Sequence, residues 1–138
     1  MADFQIAYKK SLLHEGLYPD EPYDHGGETY MGISKRSHPK WTGWVIIDAY
    51  KSQNLPKKDF LRLIKTDTRL HKLVEQVYEK DYWKVIRGDE IKHQIVADSI
   101  FDSAVNMGCV QALKLAQRAI QLPDTGEMND VTLNKLNV

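Results

Sequence analysis

The chain has 138 residues, enough for one domain and short for two of ordinary size. Hydrophobic residues make up 42% and charged residues 28%, the mix of a globular domain rather than a disordered or fibrous chain. Basic and acidic residues number 19 each, so the basic excess of a nucleic-acid binder is missing, and no run reaches the roughly 18 apolar residues of a membrane span.

The opening stretch, MADFQIAYKK, has no apolar signal core, so export by a cleaved signal peptide is not expected. Asp3 can cap a first helix. Phe4, Ala7, Tyr8, Ser11 and Leu12 follow at helical spacing, and Gly16 can end it. From Gly16 to about Gly43 the pattern breaks into Gly, Pro, Asp and Tyr, with a short hairpin expected near Thr29 to Ile33. A polar loop of about 25 residues in a small domain is uncommon, and such loops are often functional.

Trp44 to Tyr50 reads as a compact helix. Pro56 suits the first turn of the next, with Phe60, Leu61 and Ile64 on its apolar face and Lys57, Lys58 and Arg62 solvated. Leu70 to Trp83 is expected as one long amphipathic helix, and Ile91 to Met107 as another, stopped by Gly108. Val110 to Leu122 continues as helix. Pro123 and Gly126 then break the chain before a last short helix at Asp130 to Leu136. The single cysteine, Cys109, excludes an intrachain disulfide, and its apolar helical setting reads as burial. The expected class is therefore mainly α, with one long irregular segment near the front. There is no internal repeat.

That segment, HEGLYPDEPYDHGGETYMGIS (14–34), holds the candidate chemistry. Its His-Glu start lacks a second zinc-ligating His, because Tyr18 stands at that position. A calcium loop from Asp20 fails at His25 and Met31. The Gly26-Gly27 pair lacks the Lys of a phosphate loop, and there is no nucleophile elbow. Neither a metal nor another cofactor is expected. Carboxylates remain. A glycosidase needs one protonated acid at the leaving oxygen and a second carboxylate as nucleophile or water activator. Glu15, where helix meets loop, suits the first role if half buried. Asp24 suits the second, and the Thr29 hydroxyl can help position water. The plain alternatives stay open: a solvated helix-end carboxylate for Glu15, and a turn-shaping residue for Asp24. Glu28 is a further carboxylate, favoured as structural.

These residues carry a resemblance. The segment is similar to the N-terminal signature of glycoside hydrolase family 108, E-G-G-Y, D-x-G-G-E-T and G-I-S. YEKDYWKVIRGDEI (78–91) resembles its Y-W…G-D segment. ADSIFDSAVNMG (97–108) resembles its F-D-x-A-V-N-x-G helix. ALKLAQRAIQLPDTGEMNDVTLNKL (112–136) looks like a small peptidoglycan-binding-like C-terminal part. The resemblance implies a lysozyme-like helical fold whose irregular segment lines a cleft. It implies a catalytic part over about 1–90 and a wall-binding helical part over about 91–138. The substrate would be peptidoglycan, cut at the β-1,4 bond between N-acetylmuramic acid and N-acetylglucosamine.

The family's catalytic Glu falls on Glu15, and its motif Asp and Thr on Asp24 and Thr29. Tyr18, Tyr30 and Asn106 are candidate sugar contacts. Asn106 shares a helix face with Asp102, and the pair is favoured as a buried bracket. Leu17, His25 and Met31 depart from the family pattern, Met31 standing where an aromatic sugar platform is common. A catalytically silent glycan-binding or secretion-associated module is the competing reading. Without a signal peptide, the protein is expected to be made in the cytoplasm and to reach the wall through a holin or a non-classical route.

Overall fold

A computed structural model describes residues 1–14 and 28–138. The described chain is mainly helical, with seven α-helices and one two-stranded hairpin among the described residues. It divides into two compact units: Met1–His14 with Val77–Val138, and Glu15–Gln76.

In the first unit, α1 (Phe4–His14) starts as the sequence suggests. The Asp3 carboxylate accepts a hydrogen bond from the Gln5 amide at 2.7 Å, meeting one of the free donors of the first turn. One face of α1 packs Phe4 and Tyr8 into an aromatic core. The Phe4 ring meets Trp83 at 5.7 Å and Phe101 edge-on at 5.8 Å, and Tyr8 lies 5.7 Å from Tyr78. Trp83 and Phe101 are fully buried. Gly88 permits this packing: a Cβ there would fall 2.3 Å from the Trp83 ring. The Trp83 indole N–H donates to Asp89 at 2.8 Å, so the buried ring keeps a partner for its polar tip.

Polar side chains fasten α1 along α5 (Gln94–Met107). Gln94 accepts from the Asp3 amide at 2.7 Å and donates back to the Asp3 carbonyl at 3.1 Å. Further along, Lys10 pairs with Asp98 at 2.6 Å, and Ser11 donates to Asp102 at 3.0 Å.

Two helices differ from expectation. The segment from Leu70 is not one helix: α4 (Thr68–Tyr78) passes into a π-helical turn at Glu79–Trp83. Apolar spacing alone does not distinguish these windings. The helix expected from Ile91 begins three residues later, because Ile91 is extended and buried and its carbonyl accepts from the Ala2 amide at 2.8 Å. Gly108 ends α5 at φ 90°, as expected.

Next, α6 (Cys109–Ala119) stops short of Leu122. Gln121 turns left-handed at φ 60°, its amide donates to Arg118 O at 3.1 Å, and the Leu122 amide donates to Gln117 O at 2.9 Å. This pair of bonds is the Schellman C-cap. Cys109 opens α6 and is partly exposed rather than buried. Partial burial, and secondarily Asp81, push its thiol above the ordinary range, so the reactive thiolate is disfavoured. The last helix, α7 (Asp130–Leu136), has the bounds expected, set by Asn129, whose side chain accepts from the Thr132 amide at 2.8 Å.

The second unit begins, among described residues, at Glu28. Strands β1 (Thr29–Tyr30) and β2 (Ile33–Ser34) pair antiparallel, with Thr29 opposite Ser34 and Tyr30 opposite Ile33. Met31 and Gly32 make the two-residue turn, both with positive φ (48° and 85°), the geometry that matches the natural twist of a hairpin. Two helices follow, α2 (Gly43–Lys51) and α3 (Lys57–Thr66); Pro56 stands just before the second rather than within it. Trp44, Ile47, Ile64, Leu70 and Val74 form the apolar core around the hairpin's Tyr30 and Ile33.

Candidate active site

Glu15, Tyr18 and Asp24 lie outside the described residues, as do Leu17 and His25. The described end of the segment, 28–34, is built as follows.

In a strand, successive side chains point to opposite faces. Glu28 and Tyr30 are buried at 5% and 1% exposure, so Thr29 between them is turned the other way and remains half-buried. Glu28 faces two lysines. Lys51, at the end of α2, reaches one carboxylate oxygen at 2.6 Å, and Lys35, just after β2, stands 3.5 Å from the other. The Lys35 amide also donates to the Glu28 carbonyl at 2.8 Å. Asp48 sits 4.0 Å from each lysine, and the Lys35 ammonium lies 5.6 Å from the Trp44 ring centre.

Tyr30 is not a sugar platform. Its ring stacks on Trp41 at 6.1 Å, and its hydroxyl donates to the Ile64 carbonyl, so no ring face is left for a ligand. Met31 is buried as well, at 4% exposure, so its side chain is packed rather than presented. Asn106 lies in the first unit near the end of α5 and is exposed, not buried. Its amide donates to the Asp102 carbonyl at 2.9 Å and to the Asp102 carboxylate at 3.3 Å. Asp102 in turn holds Ser11, one helical turn before the position of Glu15 in sequence. The expected bracket therefore exists, but its buried members are Ser11 and Asp98 rather than Asn106.

A second carboxylate of the hairpin unit is also fully engaged. Asp67 accepts from Tyr50 at 2.6 Å, from the Arg69 guanidinium at 2.8 Å, and from the Arg69 and Leu70 amides at the start of α4. The guanidinium above all, then the tyrosine and the amides, hold its carboxyl well below the usual carboxylate range against the opposing push of burial. The same bond raises Tyr50 above the usual phenol range. A carboxylate held so is a helix cap, not a proton donor. No group of three or more potential metal ligands occurs among the described residues. Lys35 and Lys51 were not legible as partners of Glu28, since nothing local marks a contact 23 residues away in sequence. The Glu-Thr-Tyr alternation did carry the signal that Thr29 and Tyr30 face opposite ways.

The family model "Glycosyl hydrolase 108" matches residues 8–108. The chain belongs to the glycosyl hydrolase 108 family. As a member it is a glycosidase of the peptidoglycan-hydrolase kind. The structure of Brucella abortus SagA resembles it with a TM-score of 0.62 at 25% identity, covering 96% of this chain and 67% of that one. Curated proteins yielded no match. The mainly α, lysozyme-like fold is thus the one the motifs implied. No described helix is long and apolar enough to cross a membrane.

Beyond the matched span of this glycosyl hydrolase 108 member lies a compact polar hub. Gln117 is fully buried on α6. Its amide nitrogen donates towards Thr125 and Thr132 at 3.0 Å and the Glu127 carbonyl at 2.9 Å, while its oxygen accepts from the Gly126 amide at 3.0 Å. The Thr132 hydroxyl passes its own proton to Asn129 at 2.7 Å. This network ties the 123–129 connection to α6 and α7.

Proposed function

We propose that this glycosidase is an N-acetylmuramidase, cutting the β-1,4 bond between N-acetylmuramic acid and N-acetylglucosamine. Glu15 acts as general acid on the glycosidic oxygen. The oxocarbenium-like centre is met by water or by a carboxylate, with Asp24 in either role and Thr29 positioning the water. The observation that carries this reading is the family match, which spans Glu15, Asp24 and Thr29 together. The engagement of Glu28 and Asp67 with cations supports it by elimination, since neither is left as a free proton donor. Tyr18 and Asn106 are the proposed sugar contacts, and residues beyond about 91 the proposed wall-binding part. The protein acts on the wall after release through a holin or a non-classical route.

The test is digestion of purified peptidoglycan. Wild type should clear the suspension and release muropeptides with muramic acid at the reducing end. Glu15→Gln should lower the rate about 10²- to 10⁴-fold, the usual weight of a general acid, with a bell-shaped pH profile for wild type. Wall binding without new reducing ends would identify a silent binding module. A different reducing sugar would identify a different bond.

A further inference from the structure

We propose that Glu28 is a positioning residue for Thr29, acting through its clamp on Lys51 and Lys35. This rests on the reading of Thr29 given above. A hydroxyl that orients an attacking water must be held to a fraction of an ångström, and a misplacement of about 1 Å can cost a hundredfold in rate. A two-residue strand at one end of an irregular segment has little rigidity of its own. Thr29 gains it from its neighbours on both sides.

On one side, Tyr30 is locked by Trp41 and by its bond to the Ile64 carbonyl. On the other, Glu28 is locked by charge. Its side chain is 4% exposed, and its two oxygens face two different ammonium groups. Lys51 ties it to the end of α2. Lys35 ties it to the returning strand, by backbone and side chain together. Removing the charge leaves two lysines beside a partly dry pocket without their counter-ion, an arrangement that relaxes by moving the lysines and the strand. Glu28 thus works through Thr29 and not on the substrate. It is set apart from Asp24, for which it is a possible rival as second carboxylate, by having both oxygens occupied.

A double-mutant cycle read on wall digestion tests this. Glu28→Gln should lower kcat about tenfold with little change in KM, and Thr29→Val should lower it by a comparable or larger factor. In the Thr29→Val background, Glu28→Gln should cost less than about twofold, because its effect passes through the missing hydroxyl. Glu28→Asp should recover part of the loss. An equal loss in both backgrounds, a change confined to KM, or a silent Thr29→Val would overturn the proposal. A second readout does not depend on activity. The ¹³C-methyl resonance of Thr29 should shift in Glu28→Gln while that of Ala104, in the other unit, stays in place. An unmoved Thr29 methyl would overturn the proposal. Loss of the muramidase reading would show instead as a fully active Glu15→Gln or as wild type releasing no reducing ends.

Discussion

Glu28 in the hairpin unit and Gln117 in the helical unit are both buried polar side chains with several partners, held by different chemistry. Gln117 is neutral and meets hydroxyls, a carbonyl and an amide. Glu28 is a carboxylate met by two ammonium groups, and Asp67 in the same unit repeats that pattern with Arg69 and Tyr50. A neutral hub is indifferent to pH and salt but has no tolerance for a missing partner. A charged clamp survives a poorer angle, yet it answers to protonation and leaves an unpaired charge when broken. The C-terminal connection therefore needs only to be held. The hairpin is held in a way that can be released.

The comparison can be broken most directly at Gln117. Replacing it with Leu strands Thr125, Thr132, the Glu127 carbonyl and the Gly126 amide at once, and should cost about 2–4 kcal/mol in thermal or denaturant unfolding. A neutral outcome would mean that water replaces the hub and that the contrast with Glu28 is empty.

Asp67→Asn should cost less, about 1–2 kcal/mol, since its partner Arg69 is largely exposed. Its sign with pH is fixed. The folded carboxyl titrates below the unfolded one, so its contribution is complete above the ordinary carboxylate pKa near 4. It fades as pH falls below that value, where the unfolded chain takes up the proton first. Stability curves of wild type and Asp67→Asn should run parallel from neutral pH down to about 5 and converge in acid. A gap that persists to pH 2 would remove the charge from the explanation.

The smallest effect is expected at Arg118→Ala. Arg118 pairs with Asp124 at 2.9 Å and lowers its carboxyl, but both side chains are about half exposed, so the loss should stay within about 0.5 kcal/mol and vanish in molar salt.

The parts of the fold legible in the sequence are those decided by neighbours in the chain. Asp3 and Asn129 announce helix starts because a short polar side chain reaches back to the first amides. Gly108 announces a stop because its backbone lies where a side chain is strained. The hairpin was legible from Gly32 and the residues around it. The π-turn was not, since Tyr78, Tyr82 and Trp83 suit either winding until tertiary packing chooses. Nor was the burial of Tyr30, because an aromatic beside a polar motif suits sugar stacking and core packing equally until Trp41 and Ile64 are in place. At the site, residue types pointed to a carboxylate pair, and motif order rather than periodicity assigned roles to Glu15, Asp24 and Thr29. Which of the remaining carboxylates were already spoken for depended on lysines and an arginine brought in by the fold.

The π-turn at Glu79–Trp83 has a consequence for how this chain tolerates change. It winds one more residue into the helical path than an α-helix would, and a residue is worth about 100° of rotation. Deleting any one residue between 79 and 82 would restore a regular helix and swing Trp83 away from Phe4 and Phe101. Near-ultraviolet circular dichroism should then lose the signal of a fixed indole while the far-ultraviolet helix content barely changes. A deletion that keeps that signal would mean the aromatic core can rethread around a plain helix. Five residues of the chain thus behave like the offset tooth of a gear: ordinary in composition, and decisive for which way everything after them faces.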